Sequence, residues 1–287
     1  MELASPITVY WDLAPGESDL DALHKICEDI LAVRPLMVQL YDPSPFLGDG
    51  VHAVLEQLRG EPVSVTLTIP PACLATLGDM AAARLGVTEI LLAVEHPDDL
   101  KKYTAQPSVG VSCPVTRENW RELPAIIAGC RERGCNRLVL LMQRLYTGAR
   151  PFLLGRDEQN ELERALVAMG GTNNLKLTIH DPFLWRAFNP GVPFPQGGCQ
   201  AANTMIAIAP DGGVYPCPTL PVRLGELGVA SLAEILASSW KKDFRRSLLL
   251  QPEACGECPE VSACKGGCRG RSYVLHGSLD GVDDACR

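Results

Sequence analysis

Seven of the twelve cysteines fall in the last third of the chain in one ordered pattern. Cys199 opens it, and Cys217 follows at the end of the run Gly212-Gly213-Val214-Tyr215-Pro216-Cys217. The pattern continues as Cys255-x2-Cys258-x5-Cys264-x3-Cys268 and closes at Cys286. Thiolates are soft ligands for iron–sulfur clusters and zinc, and a C-x2-C spacing lets two of them reach one centre from a single turn. Seven exceed the four ligands that one tetrahedral zinc takes. The count implies two metal centres, one of them a ligand short if each takes four. A disulfide framework is the competing use of clustered cysteine, but it belongs to short secreted chains, and this one has 287 residues. Its start, Met-Glu-Leu-Ala-Ser-Pro, has neither the basic nor the apolar region of a signal peptide. No apolar run approaches the ~20 residues of a membrane-spanning helix. The expected setting is the cytoplasm, where thiols stay reduced and metal binding is the favoured use.

The elements that must position these cysteines alternate. Residues 7–12 form a β-rich run, after which Ser18 is placed to cap a helix carrying Leu20, Leu23, Ile26, Ile30 and Leu31 at helical spacing. Met37–Tyr41 is a strand, and Val51, Val54, Leu55 and Leu58 line a helix that Gly60 can end. Pro62–Ile69 is a strand, and Pro71 suits the first turn of a helix running to Gly86. Thr88–Glu95 and Ser108–Cys113 are apolar strands separated by a short polar helix, and Thr116–Gly134 reads as one helix bent at Pro124. Arg137–Met142, a helix over Asp157–Met169 and a strand over Leu175–His180 complete the series. Short, nearly continuous apolar strands alternating with helices mean βα units and a helix-covered parallel sheet. Six or seven units predict an α/β fold, a full or partial (β/α) barrel over residues 1–190. The Pro- and Gly-rich stretch 189–198 marks the boundary, and residues 191–287 form a smaller cysteine-rich domain. In it Met205–Ala209 and Val214–Tyr215 flank a Pro-Asp-Gly-Gly hairpin turn, and Ser231 caps a helix running through Trp240 and Phe244.

Together, Cys199, the hairpin ending in Cys217, the stretch from Leu224-Gly225 through Ser231, and Cys255-x2-Cys258-x5-Cys264-Lys-Gly-Gly-Cys268 with Cys286 resemble a SPASM domain. That domain is the C-terminal extension of many radical S-adenosylmethionine (radical SAM) peptide maturases. The resemblance implies two auxiliary 4Fe-4S clusters. Cys255, Cys258, Cys264 and Cys286 would hold the distal one, and Cys199, Cys217 and Cys268 the barrel-proximal one. Family members often add a cysteine shortly after the one matching Cys199. Here Gln200 to Met205 supply none, so the proximal cluster would have an open or non-cysteine fourth position.

The alternating region is similar to the partial barrel of a radical SAM enzyme without its chemistry. The family places C-x3-C-x2-C after the first strand to hold the cluster that cleaves S-adenosylmethionine. After Trp11-Asp12 this chain reads Leu-Ala-Pro-Gly-Glu-Ser-Asp, and the family's Gly-Gly-Glu after the second strand is replaced by Tyr41-Asp42-Pro43. Both losses fall in one site. The whole resembles the SPASM-only companion proteins of GeoRSP-type peptide-modification systems.

The remaining candidates are weaker. Cys27, Cys73, Cys113, Cys130 and Cys135 lack cluster spacing and read as small buried hydrophobes. Cys113, at a strand end, is a minor candidate for the missing ligand. Of the scattered His24, His52, His96, His180 and His276, only His180 sits at a strand end. Asp42 there is either a binding group or an Asp-Pro turn opener. Nucleophile elbow, P-loop and Rossmann fingerprint are absent from the sequence.

The formal charge of −8, with no basic stripe, makes nucleic acid an unexpected partner. The expected function is that of a non-catalytic iron–sulfur companion of a radical SAM/SPASM enzyme, in electron transfer or presentation of a peptide substrate or its chaperone. Two alternatives remain: an enzyme that binds substrate at an open-site auxiliary cluster, and a structural zinc-binding module.

Overall fold

The structure is a computed structural model, and it describes every residue except 1, 2, 17, 18, 104, 147, 173, 174, 196, 197 and 287. Its strands are β1 (Thr8–Asp12), β2 (Met37–Tyr41), β3 (Ser64–Ile69), β4 (Glu89–Ala93), β5 (Val109–Pro114), β6 (Arg137–Leu141) and β7 (Lys176–Ile179). β8 (Met205–Ile208), β9 (Gly213–Tyr215) and β10 (Gly225–Glu226) follow. The helices are α1 (Leu20–Ala32), α2 (Asp49–Leu58), α3 (Pro71–Leu77), α4 (Ala81–Leu85), α5 (Leu123–Glu132), α6 (Arg156–Ala168) and α7 (Pro182–Phe188). After them come α8 (Leu232–Ala237), α9 (Ser239–Leu249), α10 (Val261–Cys264) and α11 (Arg269–His276).

All ten strands share one sheet in the order β10-β9-β8-β1-β2-β3-β4-β5-β6-β7. Every pairing from β8 through β7 is parallel, and β9 and β10 add an antiparallel edge. Among the described residues β7 pairs only with β6, so the barrel is partial. The alternation reads correctly because β1 and β3 to β6 are largely buried apolar runs that need helices over them. Residues 189–195 and 198 lie outside helix and strand, and the sheet runs past them. β8 pairs with β1 in the register Thr8↔Met205 to Trp11↔Ile208, and the main hydrophobic core continues from Val9 to Leu232 and Phe244.

Several boundaries differ from expectation, each for a local reason. The helix expected over 71–86 is two, because Gly78 (φ 67°) and Met80 (φ 58°) leave the right-handed region. Pro124 bends nothing: it occupies the first turn of α5, where its missing N–H costs no hydrogen bond. The helix from Ser231 splits at Ser238, whose extended backbone ends α8 while its side chain caps α9. Ser18 lies outside the described residues, and the Asp19 carboxylate caps α1 through Asp21 N (3.0 Å) and Ala22 N (3.1 Å). Among the described residues no helix is long and apolar enough to cross a membrane.

Candidate metal centres

α10 is a single turn that stops because Lys265, Gly266 and Gly267 all take positive φ (56°, 91° and 67°). Left-handed backbone is cheap for glycine, whereas a residue with a Cβ gives up roughly 1–2 kcal/mol. The turn brings Cys268 to the N-cap of α11, where its Sγ accepts from Arg271 N at 3.4 Å. One residue into α11, a Cβ on Gly270 would sit 2.0 Å from the Thr219 carbonyl oxygen. Only glycine lets the helix approach the 217–220 loop so closely. Across that contact the Thr219 hydroxyl lies 3.3 Å from Cys217 Sγ and 3.8 Å from Cys268 Sγ. Arg245 fixes the Cys199 segment by donating to the carbonyls of Cys199 (2.7 Å) and Ala201 (3.1 Å).

Two cavities result. Cys199, Cys217 and Cys268 line one of about 370 Å³, whose other wall includes Tyr10 and Thr68 on barrel strands and His180 just after β7. Cys255, Cys258, Cys264 and Cys286 line a second of about 30 Å³, closed by Phe183 and Asp283. Cys264 also reaches the first. The two linings share Cys264, so they place the seven cysteines near one another without dividing them into ligand sets. Among the described residues no three His, Cys, Asp or Glu side chains gather at the distances of a single bound ion. Burial pushes the Cys217 thiol up to about 12 and that of Cys268 to about 11, and it raises those of Cys199, Cys255 and Cys264. Such thiols keep their protons at neutral pH until a metal displaces them. Arg269 is wholly buried nearby, with no hydrogen-bond partner at Nε or Nη2. Grouped thiols and an unmet buried cation suit a sulfur-rich anionic cluster.

A buried ion network ties this region to the barrel. Arg271 donates to Asp283 (2.7 and 2.9 Å) and to Asp181 (2.5 and 3.2 Å), and Asp283 also accepts from Cys268 N at 2.7 Å. Asp181 caps α7 as well, through Phe183 N and Leu184 N. Burial opposes its ionisation, but the Arg271 charge and these hydrogen bonds win and hold its carboxyl below the usual range.

At the mouth of the barrel Asp12 pairs with Arg144 and Tyr146, while Asp12 Oδ1 and Asp42 Oδ2 are buried without a partner. Asp12 ends β1 and is 5% exposed. Its Oδ2 accepts from Arg144 Nε and from the Tyr146 hydroxyl. Burial raises its pKa against the opposing pull of Arg144. The Arg144 guanidinium lies 4.6 Å over the Tyr41 ring at the end of β2, and Tyr146 stacks on Tyr215 at 5.1 Å. Side chains that follow β6 thus pack against the ends of both β1 and β2. Asp42 opens a turn, accepting from Ser44 N at 2.9 Å.

The weaker candidates sort themselves. Cys27, Cys73, Cys113, Cys130 and Cys135 are all buried. Cys113 contacts Asn119 (3.8 Å) and lines neither cysteine cavity. His96 pairs with Glu122 and His276 with Asp284, whereas His180 faces the large cavity. Sequence reasoning missed Arg144, Thr219, Arg269 and Arg271. For the last two there was a signal: cations in the first turn of a helix oppose its dipole and so call for a separate explanation.

Residues 199–259 match the SPASM family model, an iron-sulfur cluster-binding domain. The fold is similar to that of Streptococcus suis SuiB bound to precursor peptide SuiA, with a TM-score of 0.67 and 13% identity over 100% of this chain and 77% of that one. SuiB bound to S-adenosylmethionine gives 0.67 and 14% over 100% and 78%. anSMEcpe with bound AdoMet gives 0.64 and 15% over 98% and 90%. The chain thus has the mixed α/β architecture of radical SAM enzymes, with a SPASM iron–sulfur domain at 199–259.

Proposed function

We propose that this protein is a non-catalytic iron–sulfur companion of a radical SAM/SPASM peptide-modifying enzyme, acting in electron transfer or substrate presentation. It would carry two 4Fe-4S clusters, the distal one on Cys255, Cys258, Cys264 and Cys286. The proximal one would rest on Cys199, Cys217 and Cys268, with an open or non-cysteine fourth position. The observation that carries this reading is the ion pair of Asp12 with Arg144. It packs with Tyr146 and Tyr41 against the strand ends where the resembled family begins its S-adenosylmethionine site, while the SPASM cysteines remain grouped. Bound clusters would supply one-electron redox chemistry. The chain's own residues supply thiolates, a buried cation and the ion network that fixes the domain on the barrel. The SuiB structure with its precursor peptide supports a peptide, or a protein carrying it, as the presented ligand.

The test uses both proteins anaerobically loaded. Calorimetry with the candidate enzyme should detect binding that weakens with salt, since a chain of charge −8 would be steered to a basic patch. Peptide modification should be faster with the companion present, and the companion alone should form no 5′-deoxyadenosine from S-adenosylmethionine. Absence of binding at low salt together with undiminished modification rejects the role. Iron and acid-labile sulfide separate it from the zinc-module alternative. The large cavity beside the three-cysteine set favours a second reading, direct substrate binding at an open centre. A change in the proximal cluster's spectrum on adding peptide without the enzyme would support that one.

A further inference from the structure

Arg269 follows Cys268 and is wholly buried. Its Nη1 donates to the Leu250 carbonyl at 3.2 Å, while Nε and Nη2 have no partner. A guanidinium offers five N–H donors, and leaving them unmet in the interior costs several kcal/mol unless something accepts them. Arg269 lines the large cavity beside Cys199, Cys217 and Cys268. On its other side it packs against Gly266, where a Cβ would sit 3.1 Å from its Nη1, and Gly266 lines the small cavity with Cys255 and Cys264. One buried cation therefore borders both cavities.

We infer that Arg269 is the shared counter-charge of both metal centres and a hydrogen-bond donor to sulfur at the proximal one, and that it sets their reduction potentials. This rests on the proposed iron–sulfur reading. An added electron makes a cluster more negative, so a fixed positive charge favours the reduced form and raises the potential. The effect should be larger at the proximal centre, because Arg269 itself lines that cavity. Arg269 touches no substrate in this scheme and is a positioning residue.

The test is a dithionite redox titration of the full, anaerobically loaded chain, followed by electron paramagnetic resonance. Arg269→Met should disfavour one-electron reduction of the proximal centre at least tenfold, a drop of about 59 mV. The distal potential should fall by a smaller, resolved amount. Arg269→Lys should recover at least half of each shift. Unchanged potentials in an iron-replete Met variant overturn the inference, and movement of one centre alone overturns the sharing. If the Met variant does not load iron, the wild type decides. Pulsed resonance with arginine labelled with 15N only in the guanidinium should show nitrogen coupling to the reduced proximal centre, and its absence overturns the hydrogen bond. Wild-type protein that holds zinc and no iron would instead defeat the iron–sulfur reading itself, which the metal and sulfide content reports independently.

Discussion

The barrel mouth and the cysteine end face the same interior, yet they treat their buried polar groups in opposite ways. At the mouth, Asp12 pairs with Arg144 and Tyr146, and what is left over is acceptor: the buried Asp12 Oδ1 and Asp42 Oδ2 have no partner. At the cysteine end what is left over is donor, two guanidinium nitrogens of Arg269. A buried polar group without a partner is costly. The difference is one of sign: the mouth keeps carboxylate oxygens, and the cysteine end keeps a buried cation that suits an added anionic group.

The sharpest way to break this comparison is to remove one cysteine set at a time. Cys258→Ala should lose the distal centre, about half the iron, and spare most of the proximal one. Cys217→Ala should do the reverse, with iron, sulfide and spectra as the readout. Loss of both centres in either variant would mean one composite site. Next in size is the network between the regions. Arg271→Met leaves Asp181 and Asp283 buried without their cation and should destabilise the chain by about 3–5 kcal/mol in denaturant unfolding. Gly270→Ala forces α11 away from Thr219 and should cost about 3 kcal/mol together with much of the proximal iron. A fully loaded, equally stable alanine variant would show that the close approach is not needed.

The smallest expected effect concerns His180. Burial and the charges of Arg137 and Arg144 depress its pKa to about 4, against roughly 6.5 in an unfolded chain. The unfolded state then binds a proton that the folded state refuses. Its contribution to stability is complete above about pH 6.5 and declines as pH falls toward 4. The ring is partly open to the cavity, so the expected loss is on the order of 2 kcal/mol. His180→Phe should flatten that part of the stability–pH curve, and an unchanged slope would assign it elsewhere.

Much of the fold was legible because hydrophobic runs of strand length and 3.6-residue periodicities are local. The seven parallel strands through Ile179 follow from them directly. Breaks such as Gly78–Met80 and Ser238 were not, because they depend on single backbone conformations inside an otherwise helical pattern. The cysteine spacing pointed to an iron–sulfur domain, which residues 199–259 match, since ligand type and short gaps are written along the chain. The counter-charges were hidden: Arg144 meets Asp12 across 132 positions, and Arg271 meets Asp181 across 90, separations that no sequence window spans.

The pairing of β1 with β8 also says something about biosynthesis. Thr8 meets Met205 in register, so one edge of the first strand has no neighbour until the chain has grown by almost 200 residues. At roughly 5–20 residues per second this leaves an apolar parallel edge open for on the order of 10–40 s. The segment that covers it arrives just after Cys199 and before the other SPASM cysteines. On the proposed iron–sulfur reading, sheet completion and metal delivery fall in the same late interval on the ribosome. A chain starved of iron would then complete its sheet and hold α11 on the barrel through Arg271 and Asp181 before any centre is filled.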